Sequence, residues 1–326
     1  MALVLAGLVV AAILEAAPAQ SAEDPVLPDV TVAWPAASVR VDTTQVVRGR
    51  LTTPLPGAVA ALQRQVLDRW IDIATVPMAT DSDLVLTVPT AYYGHFLYRV
   101  RIATEEDGAV ETPTRQITVL PEYSPRGRDE SYALISSSPV GRWDPCTPIR
   151  YRVNLAKAPQ GAMRDVRAAL ANIARASGLE FTYAGPTTVV PFAQPTYDPA
   201  VADLVIAWAW PSALGGAMPT GTFGLGGEET RSGRDVAGNP VRRIWQGGVT
   251  LSARYNRIIR PGAGKGLTRV GALMHELGHA VGLFHVEGDP SQIMTPWLGA
   301  GLDVWGAGDL AGLEAVGAVN GCVSDG

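Results

Sequence analysis

Three of the four histidines in the chain fall within one run of eleven residues, His275-Glu276-Leu277-Gly278-His279-Ala280-Val281-Gly282-Leu283-Phe284-His285. On an α-helix, side chains four apart lie nearly above one another, so His275 and His279 can offer two imidazoles to a single ion. A straight helix brings no third. Gly282 stands three residues after His279, where a helix can end at positive φ, and His285 can then approach the same ion from beyond the turn. Three nitrogen ligands with a fourth position left open suit a catalytic Zn2+. Glu276 follows the first ligand, about 100° around the helix, from where its carboxylate can reach a water at the open position without ligating the ion. The implied chemistry is hydrolysis of an internal peptide bond, with Glu276 as general base and no covalent intermediate.

Several elements must position that run. A helix is predicted from about Thr268 to Gly282, with Val270, Leu273, Met274, Leu277 and Val281 as its buried face. Upstream, Met163, Val166, Leu170 and Ile173 recur at helical spacing and Gly178 stands where a C-cap would be. A last helix is predicted over about Gly308–Val319, with Asp309 near its start as a cap rather than a catalyst. Apolar runs at Ile149–Val153, Leu179–Tyr183, Asp203–Trp208 and Gly248–Arg254 read as strands, and glycine-rich Pro211–Pro240 reads as a long loop. Residues 132–323 are therefore expected to form an α+β domain. Residues 26–120 read differently, as about seven short strands: Asp29–Trp34, Gln45–Leu51, Val59–Val66, Trp70–Thr75, Leu84–Val88, Phe96–Ala103 and Gln116–Leu120. Their alternation and turn spacing predict an antiparallel all-β sandwich that holds His95 away from the other histidines. The polar stretch 121–131 has linker composition.

The histidine run, followed by Met294 in Ser291-Gln292-Ile293-Met294-Thr295-Pro296, resembles the metzincin clan of zinc metalloendopeptidases. The eight residues between His285 and Met294 are most similar to the matrixins and their bacterial relatives. The likeness covers the motif and turn, with a looser match of element order across about 140–323. It implies a metzincin-like α+β fold, with His275, His279 and His285 on one catalytic Zn2+ and Glu276 as the base. Met294 would lie in a tight turn beneath the metal, and Trp297 beside the side-chain pocket. Val286 directly follows the third ligand, where astacin-type members carry Glu, and Cys146 in Trp143-Asp144-Pro145-Cys146 is unlike a cysteine-bearing propeptide. The resemblance also allows Ca2+, with Asp198, Asp203, Glu228, Glu229, Asp235 and Asn239 as oxygen donors, although they match no fixed ligand spacing and also read as solvated loop carboxylates. The N-terminal module looks immunoglobulin-like or fibronectin type III-like.

Composition bounds the rest. With 326 residues, 47 % hydrophobic and 17 % charged, the chain can bury two cores, and a net charge of −5 gives no argument for nucleic acid as a partner. Ala2–Leu14 is an apolar run of thirteen residues followed by Ala17-Pro18-Ala19, which suits a signal peptide over residues 1–19 and is too short to span a bilayer. An exported chain with two cysteines has one available disulfide, Cys146 to Cys322. The expectation is a secreted endopeptidase acting on protein or peptide, without stable membrane insertion, whose N-terminal module could contact a cell surface or cell wall. Two alternatives remain: a non-catalytic secreted zinc-binding or adhesion protein, and a zinc hydrolase whose third ligand is a distant carboxylate such as Glu314.

Overall fold

The computed structural model describes residues 29–326 except 56, 79–82, 104–107, 194–197, 199 and 297–301. The expected signal segment 1–19 and Trp297 lie outside the described residues.

Most of the regular structure is β. In the N-terminal part, strands Val30–Ala33, Gln45–Leu51 and Asp83–Val88 form one sheet. Ser38–Arg40, Arg115–Leu120, Gly94–Ala103, Val59–Val66 and Arg69–Pro77 form the other in that order, with Ala109–Glu111 beside Gly94–Ala103. The alternation read from the sequence is realised: Phe96, Tyr98, Val100 and Ile102 point inward and meet Leu84, Leu86 and Val88 from the opposite sheet. The sandwich is not wholly antiparallel, as had been expected, because Ser38–Arg40 runs parallel to Thr118–Leu120. Pro35, which cannot donate to a ladder, follows the end of the first strand, and the chain crosses to the other sheet there instead of turning back on its own.

From residue 141 onward a seven-stranded mixed sheet carries three α-helices among the described residues. Its order is Phe181–Pro186, Ile149–Asn154, Leu204–Ala209, Pro240–Ser252, Gly224–Asp235 and Val323–Asp325, with Gly141–Arg142 also paired to Pro240–Ser252. Helix α1 (Ala162–Ser177) joins two parallel strands and ends at Gly178, φ 73°. Helix α2 (Arg269–Ala280) carries His275, Glu276 and His279, and helix α3 (Ala307–Val316) follows the Met294 turn. Leu204–Ala209 is buried along its whole length, as a strand between parallel neighbours must be.

One expectation fails. The glycine-rich stretch Pro211–Pro240 is not a long loop: Gly224–Asp235 is a twelve-residue strand, in a hairpin with Pro240–Ser252. Low strand propensity is overridden by packing. A Cβ on Gly224 would lie 2.6 Å from the Glu276 carboxylate, and one on Gly226 would collide with the Glu276 carbonyl, so only glycine lets this strand lie flat against α2.

Buried apolar side chains gather in two clusters, one drawn from residues 39–119 and one from Trp143–Val316 together with Tyr93. The polar stretch between them runs against the second cluster: Arg126 O accepts from Ala307 N at 2.7 Å, and Gly127 packs on Ser291 and Gln292. Cys146 and Cys322 are joined, tying the start of the large sheet to its last strand. No helix among the described residues is long and apolar enough to cross a membrane.

Candidate metal centre

Helix α2 begins with Thr268 as N-cap, its hydroxyl accepting from Gly271 N at 3.2 Å. The same end is fixed by an ion pair buried almost completely, Arg269 Nε to Asp165 Oδ2 at 2.6 Å, with Gly262 N also donating to Asp165 at 3.1 Å. All twelve residues of α2 are buried, so this helix runs through the interior rather than along the surface. It ends as expected: Gly282, at φ 108°, turns the chain back toward the helix.

That turn brings the third histidine home. His285 Nε2 lies 3.1 Å from His275 Nε2 and 3.1 Å from His279 Nε2. His275 Nδ1 donates to the Ile293 carbonyl at 2.8 Å, and His279 Nδ1 to the Leu283 carbonyl at 2.8 Å. A carbonyl only accepts, so each Nδ1 carries the proton and each Nε2 presents a lone pair toward the common centre. Protonation is a poor alternative way to satisfy these nitrogens. Burial pushes His275 down to about 3 and His279 down to about 4, and burial lowers His285 as well. With metal–nitrogen bonds of about 2.0–2.1 Å, a spacing of 3.1 Å corresponds to an angle of about 98° at the ion, between the octahedral and the tetrahedral values. His275, His279 and His285 can therefore hold a metal ion.

Beneath them, Met294 is buried and its sulfur packs on Gly278, the helix residue between the two ligands, where any side chain would collide with it. The Met294 turn is held by Asp309 of α3, which accepts from Ile293 N at 2.5 Å, Met294 N at 3.1 Å and Gly306 N at 3.0 Å. Asp309 is thus more than the cap expected of it, since it also fixes the carbonyl that orients His275. Burial pushes its carboxyl up to about 6, against the pull of those three backbone donors. Gln292 completes the clamp by accepting from Asp309 N at 2.9 Å.

Glu276 is 5 % exposed, and burial alone, with no charged neighbour to offset it, pushes its carboxyl up to about 8. It opens with the three histidines onto a cleft of about 930 Å³. Gly224–Glu228 forms one wall, and Ile135, Phe192, Phe223 and Phe284 supply apolar side chains. Among the described residues, Gly224–Asp235 pairs on its outer edge only through Gly233–Asp235 and the Ser232 carbonyl, so Gly224–Arg231 presents an edge with no strand beside it.

No family model matches this sequence, and no curated protein matches it. Several solved structures do, over short stretches. CopC from Methylosinus trichosporium OB3b is 16 % identical, covering 31 % of this chain and 100 % of that one, TM-score 0.23. The PKD domain of an M14-like peptidase from a Thermoplasmatales archaeon is 15 % identical, covering 28 % of this chain and 94 % of that one, TM-score 0.22. A CARDB domain from Pyrococcus furiosus is 16 % identical, covering 28 % of this chain and 95 % of that one, TM-score 0.19. These neighbours are β-sandwich domains of the immunoglobulin-like kind.

Other residues singled out in the sequence are dispersed. Asp203 pairs with Arg150 at 2.8 Å, Asp235 and Asn239 close a turn on each other, and Asp198 caps Ala200 N. Glu228 and Glu229 lie on a strand, so the six oxygen donors considered for Ca2+ form no common site among the described residues. Glu314 is not at the histidine centre, since its carboxylate binds His95 Nδ1 at 3.0 Å across the joint between the two parts of the chain. Cys146 and Cys322 lie near Asp144, but their sulfurs are in the disulfide. Sequence reasoning missed the roles of Asp309 and of the strand Gly224–Glu228. The only signal was the unusual run of glycines.

Proposed function

We propose that this chain is a secreted zinc-dependent endopeptidase of metzincin-like α+β fold, related in style to the matrixins, with Glu276 as its general base. The observation that carries the reading is the convergence of three Nε2 atoms, those of His275 and His279 each 3.1 Å from that of the half-buried His285, beside a carboxylate no protein group neutralises, in an open cleft. Three ligands and an accessible fourth side suit catalysis, whereas a structural site is normally closed by a fourth protein ligand. A Zn2+ ion bound there would polarise a carbonyl, acidify a water and, by its charge, draw Glu276 back toward ionisation near neutral pH. Glu276 then takes the proton from the attacking water and delivers it to the leaving amine. The Ile293 and Leu283 carbonyls hold the imidazole rings in register, and Asp309 holds Ile293. An extended peptide can add to the unpaired edge of Gly224–Arg231, whose first part, Gly224–Glu228, lines the cleft, through main-chain hydrogen bonds. That favours a protein or peptide as substrate. The disulfide fits export, and the N-terminal sandwich remains a candidate for contact with a cell surface.

The test is metal content and casein hydrolysis on the chain and its Glu276→Gln variant. The expected result is one zinc per chain in both, with hydrolysis reduced about 10³-fold in the variant. Equal hydrolysis by the two, or failure of both to bind zinc, would rule the reading out. Zinc bound by both with no hydrolysis by either would favour the non-catalytic zinc-binding reading.

A further inference from the structure

On the face of strand Gly224–Asp235 that looks toward α2, the residues are Gly224, Gly226 and then Glu228. The first two lie under Glu276, where no side chain fits. Glu228 stands opposite Gly247, whose own Cβ position faces Ala280 O, so it sits beside the C-terminal, electronegative end of α2. It lines the same cleft as the histidines and is half-buried there. No ion pair engages it. Arg242 favours the charged form of Glu228 through space but makes no ion pair with it, its Nε donating to Thr230 Oγ1 at 3.1 Å. Burial, more than its neighbour Glu229, holds the Glu228 carboxyl above its ordinary range. A half-buried carboxylate in a cleft, beside a helix C-terminus and with no ion pair among the described residues, is an arrangement that a positively charged ligand group stabilises.

The register gives the position of that group. Glu276, which acts at the scissile bond, touches Gly224, and Glu228 is four residues along, about 13 Å at a strand rise of 3.3 Å. A peptide adding antiparallel, the more stable pairing, has its N-terminal side toward Glu228. We propose that Glu228 is a specificity-determining residue that recognises a lysine or arginine side chain three or four residues N-terminal to the scissile bond. This rests on the peptidase reading and adds its substrate class, a peptide with a basic residue upstream of the cut.

The experiment uses zinc-loaded full chain and quenched fluorescent peptides that carry Lys, Ala or Glu scanned through the four positions on each side of the cleaved bond. The wild type should favour Lys over Ala by about tenfold in kcat/KM at the third or fourth upstream position. Glu228→Gln should lose that ratio and Glu228→Lys should turn it toward Glu, and a ratio taken within one variant is insensitive to its overall yield. The same peptides, labelled, are titrated onto the Glu276→Gln variant by fluorescence anisotropy, and should bind in the same order. Cleavage without charge preference, or a Lys preference that survives in Glu228→Gln, overturns the proposal and leaves the peptidase reading intact. Charge-ordered binding that depends on Glu228, without cleavage of any peptide, keeps the recognition and overturns the peptidase reading. Neither cleavage nor charge-ordered binding overturns both.

Discussion

The two hydrophobic clusters of this protein bury very different things. The sandwich encloses mostly apolar side chains, and among the described residues Gln63, Thr90 and Thr112 are its buried polar ones. The part built on the mixed sheet buries Arg142, Asp165, Arg269, His275, Glu276, His279 and Asp309. Burying an ionisable group costs free energy unless partners compensate it, so a core with so many is not arranged for stability alone. What differs is where each compensation comes from. Asp165 and Arg269 compensate one another, Asp309 is met by backbone donors, and the histidines and Glu276 are left facing a cleft. Desolvated groups that are charged or titrate near neutral pH gather where chemistry is proposed, whereas in the sandwich core the shifted group is the Tyr98 hydroxyl, which burial keeps neutral.

That contrast can be broken most strongly at the closed ion pair. Arg269→Ala removes the buried partner of Asp165, leaving only the exposed Arg164 and backbone donors, and should destabilise the C-terminal part by about 3–5 kcal/mol. Denaturant unfolding, followed by hydrogen exchange on each part, should show the loss in α1 and α2 with little change in the sandwich strands. An equal loss in both would mean that the two cores unfold as one.

Asp309→Ala comes next. It orphans three backbone N–H groups, on Ile293, Met294 and Gly306, and should cost about 2–3 kcal/mol. Because Ile293 orients His275, zinc affinity should also fall about 10–100-fold. A competitive chelator titration measures this, and an unchanged affinity would show that Asp309 serves only the fold.

The smallest effect lies at the joint between the parts. The hydrogen bond to Glu314 raises the His95 pKa more than burial lowers it. A raised folded-state pKa means stability that is fully present below the unfolded value of about 6.5 and is lost as pH rises through the folded one. The pair is half-exposed, so its contribution should be below about 1 kcal/mol. His95→Gln should flatten the stability profile just above pH ~6.5, and an unaltered profile would show that the pair carries no linkage.

Much of the candidate site is legible in the residues themselves. His275, Glu276, His279, Gly282 and His285 lie on one helix and the turn that ends it, where geometry is local and follows from 3.6 residues per turn. The two cysteines had one partner each to choose. The sandwich strands were legible for a similar reason, because alternation reports burial on one face. Asp309 was harder: as a helix-start carboxylate it reads as a cap, and its bonds to Ile293 and Met294 join positions fifteen and sixteen residues away.

The sequence by itself determined the histidine spacing, the carboxylate beside it and the alternating strands, which depend on residue type and on distances of a few positions along the chain, and the disulfide pairing, because there are two cysteines. Only the tertiary structure decided that the glycines of Gly224–Gly227 form a strand and that its free edge is a wall of the cleft. It alone set Glu228 beside the end of α2, and Met294 under Gly278. These depend on how closely one backbone approaches another, and glycine permits that approach without announcing it, because a missing side chain leaves no pattern to read.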